Sequence, residues 1–195
     1  MKQTMNSSPP VSPSIDQANT TDFVVGMGAN LGDRRAALDQ ALSAAAALGT
    51  VQATSNVYET DPVGGPPQPP FLNAAFRLRT SLEPCELWRA LVAIEQRAGR
   101  VRRVRWGPRT LDLDLLWSSG QAVKTHFLEV PHPRLADRAF ALVPLLEVAP
   151  DAREPASGIG YAELLQRLPA TRLRCLGRLS FSPPTSTPIS AARSA

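Results

Sequence analysis

The sequence has only two cysteines and no apolar stretch long enough to cross a membrane. Cys85 and Cys175 lie far apart and lack any metal-ligand spacing, which is typical of proteins in a reducing compartment. Residues 1–20 contain no apolar segment of the kind found in a secretory signal. A membrane span would need about 20 consecutive apolar residues. These absences predict a cytoplasmic protein that is neither secreted nor inserted in a membrane.

The chain is long enough for one domain with a hydrophobic core, since it has 195 residues of which 43% are apolar. Its formal charge is +4, but the basic residues are unevenly spread. One stretch without Asp or Glu contains Arg97, Arg100, Arg102, Arg103, Arg105 and Arg109. Such a patch predicts an anionic partner, either a nucleic acid or a nucleotide.

Both ends of the chain differ in composition from its middle. Residues 1–21 and 179–195 are rich in Ser, Thr and Pro and have few large apolar side chains. This composition is typical of disorder. We therefore expect one folded domain over residues 22–178, between two disordered tails.

The middle of the chain alternates between strand and helix patterns. Period-two and helical periodicities, with their turn residues, predict a strand at 23–27, a helix after Asp33, strands at 51–59 and 71–80, a helix from Pro84 and a strand at 110–117. This βαββαβ order predicts an α+β fold with a ferredoxin-like core, an antiparallel sheet flanked by helices. Extra C-terminal elements should follow: a strand near 127–130, a helix after Pro133 that Pro144 interrupts, and a helix at 161–168.

The most informative segment alternates Leu and Asp after the arginine stretch. In a strand, Leu111, Leu113 and Leu115 would face a core, and Asp112 and Asp114 would share the other face. Their Cα atoms would lie roughly 6.5–7 Å apart, so the carboxylates could converge on one or two hard cations. Arginines beside such carboxylates suit a polyphosphate substrate. The alternative is an edge strand with a solvated acidic face.

Several other residues allow both a functional and a structural interpretation. The glycines of Gly26-x-Gly28-x-x-x-Gly32 could bind an anion through backbone N–H groups or simply form a tight turn. Phe71 could stack on a ligand or belong to the core. Asn73 is expected to face inward, where its amide needs partners and could bind a heterocycle.

A second candidate cluster follows the Asp strand. It contains His132 and Arg138, although a single histidine is more often structural than catalytic. Trp106 is an unusual aromatic within the arginine stretch, which indicates a segment that packs only when it closes over a ligand.

Together these residues resemble the 6-hydroxymethyl-7,8-dihydropterin pyrophosphokinase family of the folate pathway. The RWGPRTLDLDLL segment (105–116) is highly specific for that family. The other matching pieces occur in the family's order: GANLGD (28–33), YETDPVG (58–64), FLNAA (71–75), GRVR (99–102), VPHPR (130–134) and RAFALVPLLEVAP (138–150).

The resemblance implies transfer of the β,γ-diphosphate of ATP to the hydroxymethyl oxygen of the pterin, with release of AMP. ATP would be the co-substrate, and Asp112 and Asp114 would hold two Mg²⁺ ions. The protein would act as a monomer without a nucleic-acid or membrane partner.

The resemblance also implies three groups of site residues. The pterin would contact Thr60, Val63, Phe71, Asn73 and Phe140. ATP would contact Glu95, Arg100, Trp106, Leu115, His132 and Arg138. Catalysis would depend on Arg102, Arg103, Arg109, Asp112 and Asp114. The chain departs from the family pattern at Phe127, where the family often has a basic residue, and at Glu129, where it often has Thr.

Two other functions remain open from the sequence. Ferredoxin-like sheets also bind RNA, and the arginine stretch would supply phosphate contacts, although no RNP-like aromatic motif is present. The protein could also bind a pterin or a nucleotide without catalysing a reaction.

Overall fold

The computed structural model describes residues 20–99, 107–179 and 181. The helices are α1 (Arg34–Ala45), α2 (Pro84–Arg97), α3 (Ala139–Val148) and α4 (Tyr161–Gln166). The strands are β1 (Thr21–Ala29), β2 (Thr50–Thr54), β3 (Asn56–Thr60), β4 (Phe71–Thr80), β5 (Asp112–Ser118), β6 (Val123–Lys124), β7 (Glu129–Val130) and β8 (Arg174–Arg178). Within the described part of the chain, no helix is long and apolar enough to cross a membrane.

The main sheet is antiparallel and has the order β5-β1-β4-β3-β8, with β2 also paired to β4. Strands β2 and β3 form one interrupted strand, because Ser55 between them turns its backbone and its hydroxyl toward Ala75. Ser55 N donates to Ala75 O at 2.9 Å, and Ala75 N donates to Ser55 Oγ at 2.8 Å. The order from β1 to β5 is therefore the predicted ferredoxin-like βαββαβ core, to which β8 adds an edge strand.

Alternation along β1 gives the sheet two different faces. Phe23, Val25 and Met27 point to the face covered by α1 and α2, which we call the helix-packed face. Val24 points to the opposite face, where it packs in a second core cluster with Leu142 of α3. We call this opposite face the cavity face, because α3 covers only part of it and leaves space at one end.

Local signals explain where the first two helices begin. Asp33 caps α1 by accepting a hydrogen bond from Ala36 N at 3.0 Å, as the sequence predicts. Pro84 is in the first turn of α2, where its missing N–H costs nothing. Glu83 and Glu86 form a reciprocal capping box at the same end.

The C-terminal elements differ from their predictions. Helix α3 begins at Ala139, well after Pro133, and Pro144 lies inside it without ending it. Pro144 is buried, so packing offsets the backbone hydrogen bond that its ring removes. The strand expected near 127–130 is only Glu129–Val130, paired with Val123–Lys124.

The folded region extends slightly beyond the predicted boundaries. Strand β1 already begins at Thr21. Leu179 is buried after β8, and Phe181 packs against the same core, although both were assigned to the C-terminal tail. Their apolar side chains return to the helix-packed face, which composition alone did not indicate. The predicted disorder of residues 1–19 and 182–195 falls outside the described residues.

Candidate active site

A cavity of about 800 Å³ opens on the cavity face, at the end of the sheet that α3 leaves uncovered. Its wall combines residues from β1, β3, β4, β5, α3 and three loops. The predicted site residues that line it are Thr60, Val63, Phe71, Asn73, Arg109, Asp112, Asp114, His132, Arg138 and Phe140. Residues separated by up to eighty positions in the sequence therefore meet in one place.

Glycines of β1 form the floor of this cavity. Gly28 pairs with Asn73 of β4 on one side and with Asp112 of β5 on the other. A Cβ atom at Gly28 would lie 3.3 Å from Asn73 Oδ1, so a larger residue would crowd the floor. Gly26 and Gly28 are strand residues, of which Gly26 makes room for Leu116 and Gly28 keeps the floor open, and Gly32 (φ 64°) is the one glycine of the motif in a turn. The glycine motif is therefore not an anion-binding loop.

The two aspartates of β5 face the cavity, and Leu111, Leu113 and Leu115 are buried on the other side. The strand is at the edge of the sheet, but its acidic face lies on the cavity rather than in open solvent. Arg109 donates a hydrogen bond from its guanidinium to Asp112 Oδ2.

Asp114 is electrostatically disfavoured as an anion. Burial raises its pKa to about 7, and the negative charges of Asp112 and Glu95 add to the rise, against the opposing effect of Arg138 and Arg109. A carboxylate pair with this excess of negative charge suits a divalent cation. The described residues contain no group of three or more His, Cys, Asp or Glu side chains placed to hold a metal. Mg²⁺ fits such a site, because it typically binds one or two carboxylates and takes its other oxygens from water and phosphate.

The opposite end of the cavity has aromatic and amide groups. Asn73 is buried, and its Nδ2 donates to Thr60 Oγ1 at 2.7 Å, which fixes the orientation of the amide. Phe71 and Phe140 both line the cavity. The guanidinium carbon of Arg109 lies 5.8 Å from the ring centre of Phe71, and that of Arg138 lies 5.6 Å from the ring centre of Phe140. These groups can bind a flat heterocycle.

A basic wall lies near the aspartates. It consists of His132, Arg134 and Arg138. Arg134 N donates to His132 Nδ1 at 3.1 Å, so a neutral imidazole carries its proton on Nε2. Burial, followed by the positive charges of Arg138 and Arg134, lowers the pKa of His132 to about 4. His132 is thus a neutral hydrogen-bond donor at pH 7, beside two cations.

Some predicted residues lie elsewhere. Glu95 is buried behind β5, where its Oε1 accepts a hydrogen bond from Leu113 N at 2.6 Å. Leu115 belongs to the core on the helix-packed face. Neither lines the cavity. Arg100, Arg102, Arg103 and Trp106 fall outside the described residues.

Several residues that shape the site were not predicted from the sequence. Arg134, Asp61 and Gln68 line the cavity. Of these, Arg134 had a usable sequence signal, because it is a basic residue two positions after His132 in the VPHPR motif. Asn30 lies behind two of the cavity loops and binds both of them. Its motif, GANLGD, was considered only for its glycines and backbone.

The chain matches the family model described as 7,8-dihydro-6-hydroxymethylpterin-pyrophosphokinase (HPPK) over residues 24–150. The chain belongs to this family. Proteins named 2-amino-4-hydroxy-6-hydroxymethyldihydropteridine pyrophosphokinase are among its relatives. The one from Synechocystis sp. is 40% identical over 164 residues, which cover 83% of this chain and 84% of the relative. The one from Bacillus subtilis is 44% identical over 135 residues, which cover 68% and 81%.

Solved HPPK structures share the fold. Wild-type Plasmodium falciparum HPPK-DHPS with pteroate has a TM-score of 0.60 and 15% sequence identity. The match covers 75% of this chain and 42% of the Plasmodium chain. The chain thus spans less than half of that protein, and at this identity the likeness is one of fold.

Proposed function

We propose that the protein transfers the β,γ-diphosphate of ATP to the hydroxymethyl group of 6-hydroxymethyl-7,8-dihydropterin in folate biosynthesis. The observation that carries this proposal is one cavity that combines an aspartate pair, several arginines, and a pocket of two phenylalanines with a buried amide. In this reaction the hydroxymethyl oxygen forms a bond to the β-phosphorus. The bond between the β-phosphorus and the bridging α,β-oxygen breaks, AMP leaves, and the hydroxyl proton passes to solvent.

The sheet register supports a defined orientation of the pterin. Asn73 and Asp112 both pair with Gly28, from opposite sides. They are therefore two strand spacings apart, or about 9.5 Å. A bicyclic ring bound by Asn73 and stacked between Phe71 and Phe140 would extend its substituent toward the aspartates. Thr60 would keep the Asn73 amide in the orientation that binds the ring.

Asp112 and Asp114 would hold two Mg²⁺ ions together with phosphate oxygens. When bound, these ions would neutralise phosphate charge and favour the ionised form of the attacking hydroxyl. The raised pKa of Asp114 supports this role, since burial and then the charges of Asp112 and Glu95 disfavour its anionic form, which a bound cation would stabilise. Arg109 would hold Asp112 in place from the loop side.

The basic wall would hold the polyphosphate. Arg109 and Arg138 would contact the phosphates as cations, and His132 would donate a neutral hydrogen bond. We add Arg134, which lines the cavity mouth beside them. Positioning and charge stabilisation of this kind supply most of the rate in phosphoryl transfer.

The remaining assignments are part of the same proposal. Arg102 and Arg103 would stabilise the transition state, and Arg100 and Trp106 would close on the nucleotide. Glu95 and Leu115 would act from behind β5 by holding the Asp strand in place. The enzyme would act in the cytoplasm as a monomer, through one catalytic domain that extends from Thr21 to at least Leu179.

An AMP-release assay tests the proposal directly. We expect Mg²⁺-dependent formation of AMP from ATP only when the hydroxymethyl dihydropterin is present. Pterin lacking the hydroxymethyl group is the matched control and should give no AMP. A purified protein that makes no AMP with the pterin but binds RNA tightly would refute the proposal in favour of a nucleic-acid-binding domain.

A further inference from the structure

Asn30 is a buried residue that binds two of the loops framing the cavity without lining the cavity itself. It follows directly after β1 and is 2% exposed. One loop consists of residues 107–110, just before β5, and the other of residues 61–70, between β3 and β4. We call them the Arg109 loop and the proline loop.

Two hydrogen bonds of Asn30 fix the backbone of Arg109. Arg109 N donates to Asn30 Oδ1 at 2.7 Å, and Asn30 N donates to Arg109 O at 3.0 Å. Both backbone polar groups of Arg109 are thereby held by one residue. The Arg109 side chain then bonds Asp112 and lies over the ring of Phe71. The position of Asn30 therefore sets where this guanidinium can reach.

Two further hydrogen bonds of Asn30 fix the end of the proline loop. Asn30 Nδ2 donates to Gln68 Oε1 at 3.0 Å and to Pro69 O at 3.1 Å. This loop supplies Asp61, Val63, Gly64 and Gln68 to the cavity lining. The amide orientation is unambiguous, because Pro69 O can only accept and Arg109 N can only donate.

We propose that Asn30 is a positioning residue that couples the pterin end of the cavity to its phosphate end. The amide is planar and rigid, so a displacement of either loop must strain or break its bonds to the other. A ligand that orders one loop therefore favours the bound arrangement of the second, which is a coupling free energy between two sites. The inference rests on the proposed function, which assigns those two ends to the two substrates.

Asn30→Asp separates the hydrogen bonds to Arg109 from those to the proline loop. The variant is nearly isosteric and keeps an oxygen that accepts from Arg109 N. It replaces the two N–H donors with an anionic oxygen facing Pro69 O and Gln68 Oε1, which releases the proline loop. The pterin Kd is measured by calorimetry twice, once without nucleotide and once with Mg²⁺ and α,β-methylene-ATP. The coupling is the first Kd divided by the second.

In the wild type we expect a ratio of about five or more, within the usual range of coupling. In Asn30→Asp the ratio should fall close to one, while the affinity for α,β-methylene-ATP alone changes by less than about threefold, or ~0.65 kcal/mol. The matched control is Asn56→Asp on β3, which disrupts amide bonds to Glu147 away from the cavity. It should lower the thermal midpoint and leave the ratio unchanged.

An unchanged ratio in Asn30→Asp, or an equal loss of both affinities, would overturn the inference. If Asn30→Asp does not fold, Gln68→Met removes one acceptor of the same contact from the loop side and should lower the ratio partially. A ratio unaffected by Gln68→Met would then count against the inference. Wild-type protein that neither binds the pterin nor forms AMP would instead refute the proposed function itself.

Discussion

The two faces of the central sheet are packed differently, although the same strands form both. On the helix-packed face, β1 presents Phe23, Val25 and Met27, all buried against α1 and α2. On the cavity face, the same strand presents Gly26, which leaves room for the side chain of Leu116, and Gly28, which keeps the cavity floor open beside Asn73. Adjacent residues therefore serve opposite purposes: one set stabilises the fold, and the other forms a site that gains little from packing.

The cavity face is itself divided electrostatically. At one end, Arg79 and Arg77 bind Asp22 and lower its pKa, although burial opposes the shift. At the other end, burial and like charges raise the pKa of Asp114 to about 7. Two arginines compensate the charge of Asp22, whereas burial and neighbouring carboxylates outweigh the effect of Arg138 and Arg109 on Asp114. This contrast distinguishes the two ends of the cavity face.

The largest effect is expected from Asp112→Asn. Loss of a carboxylate that we propose to hold Mg²⁺ should lower the rate of AMP formation by about 10³-fold, or ~4 kcal/mol of transition-state stabilisation. The free energy of unfolding should change little, because the substitution removes one of two like charges but also the ion pair with Arg109. Asp39→Asn on α1, remote from the cavity, is the control and should retain full activity. A loss of less than tenfold in Asp112→Asn would contradict the cavity-face assignment.

Leu113→Ala tests the other face of the same strand. Leu113 is 4% exposed in the core between β5 and the helices. Truncation should cost about 2–5 kcal/mol of unfolding free energy, measured by denaturant titration. Activity per folded molecule should change little, since the side chain points away from the cavity. An activity loss comparable to that of Asp112→Asn would mean that the two faces are not separable.

Thr60→Val tests how far the pterin end depends on a fixed amide. The variant keeps the shape of the side chain but removes the hydroxyl that accepts from Asn73 Nδ2. Pterin affinity should fall about five- to thirtyfold, or ~1–2 kcal/mol, by calorimetry. Thr50→Val, an exposed position on β2, is the control. An unchanged pterin Kd in Thr60→Val would exclude this role for Thr60.

Asp22→Asn should have the smallest effect and a defined pH dependence. The folded pKa of Asp22 lies below its usual value of 3.8, so its stabilising contribution is present above that pH. The contribution is lost as the pH falls through the folded pKa. At pH 7 the thermal midpoint of the variant should be lower by about 2–4 °C, or ~1 kcal/mol. The difference should shrink below pH 4, and a constant difference at all pH values would contradict the assignment.

The sequence predicted those parts of the molecule that depend on local patterns. The Leu–Asp alternation predicted both faces of β5, and the Asp33 cap and Pro84 predicted the starts of α1 and α2. The order of these elements was sufficient for the ferredoxin-like core. Each of these signals operates within a few residues of chain.

Features that depend on distant contacts were not predicted. Strand β8 is exposed along its whole length and forms only because β3 offers a free edge. Pro144 remains inside α3 because the stabilisation from burying its ring outweighs the loss of one backbone hydrogen bond. Asn30 binds residues 38 and 79 positions away, so its motif alone shows no more than a turn. No pattern within the GANLGD segment contains that information.

Single-turnover formation of AMP by Asp114→Asn tests the central claim most directly. Wild type and variant are compared at equal concentrations of folded protein, with saturating ATP, Mg²⁺ and hydroxymethyl dihydropterin. The account predicts a folded variant that forms AMP at least about 10³-fold more slowly, because the proposed Mg²⁺ ions would lose half of their carboxylate pair. A folded Asp114→Asn protein that forms AMP within tenfold of the wild-type rate would contradict the account.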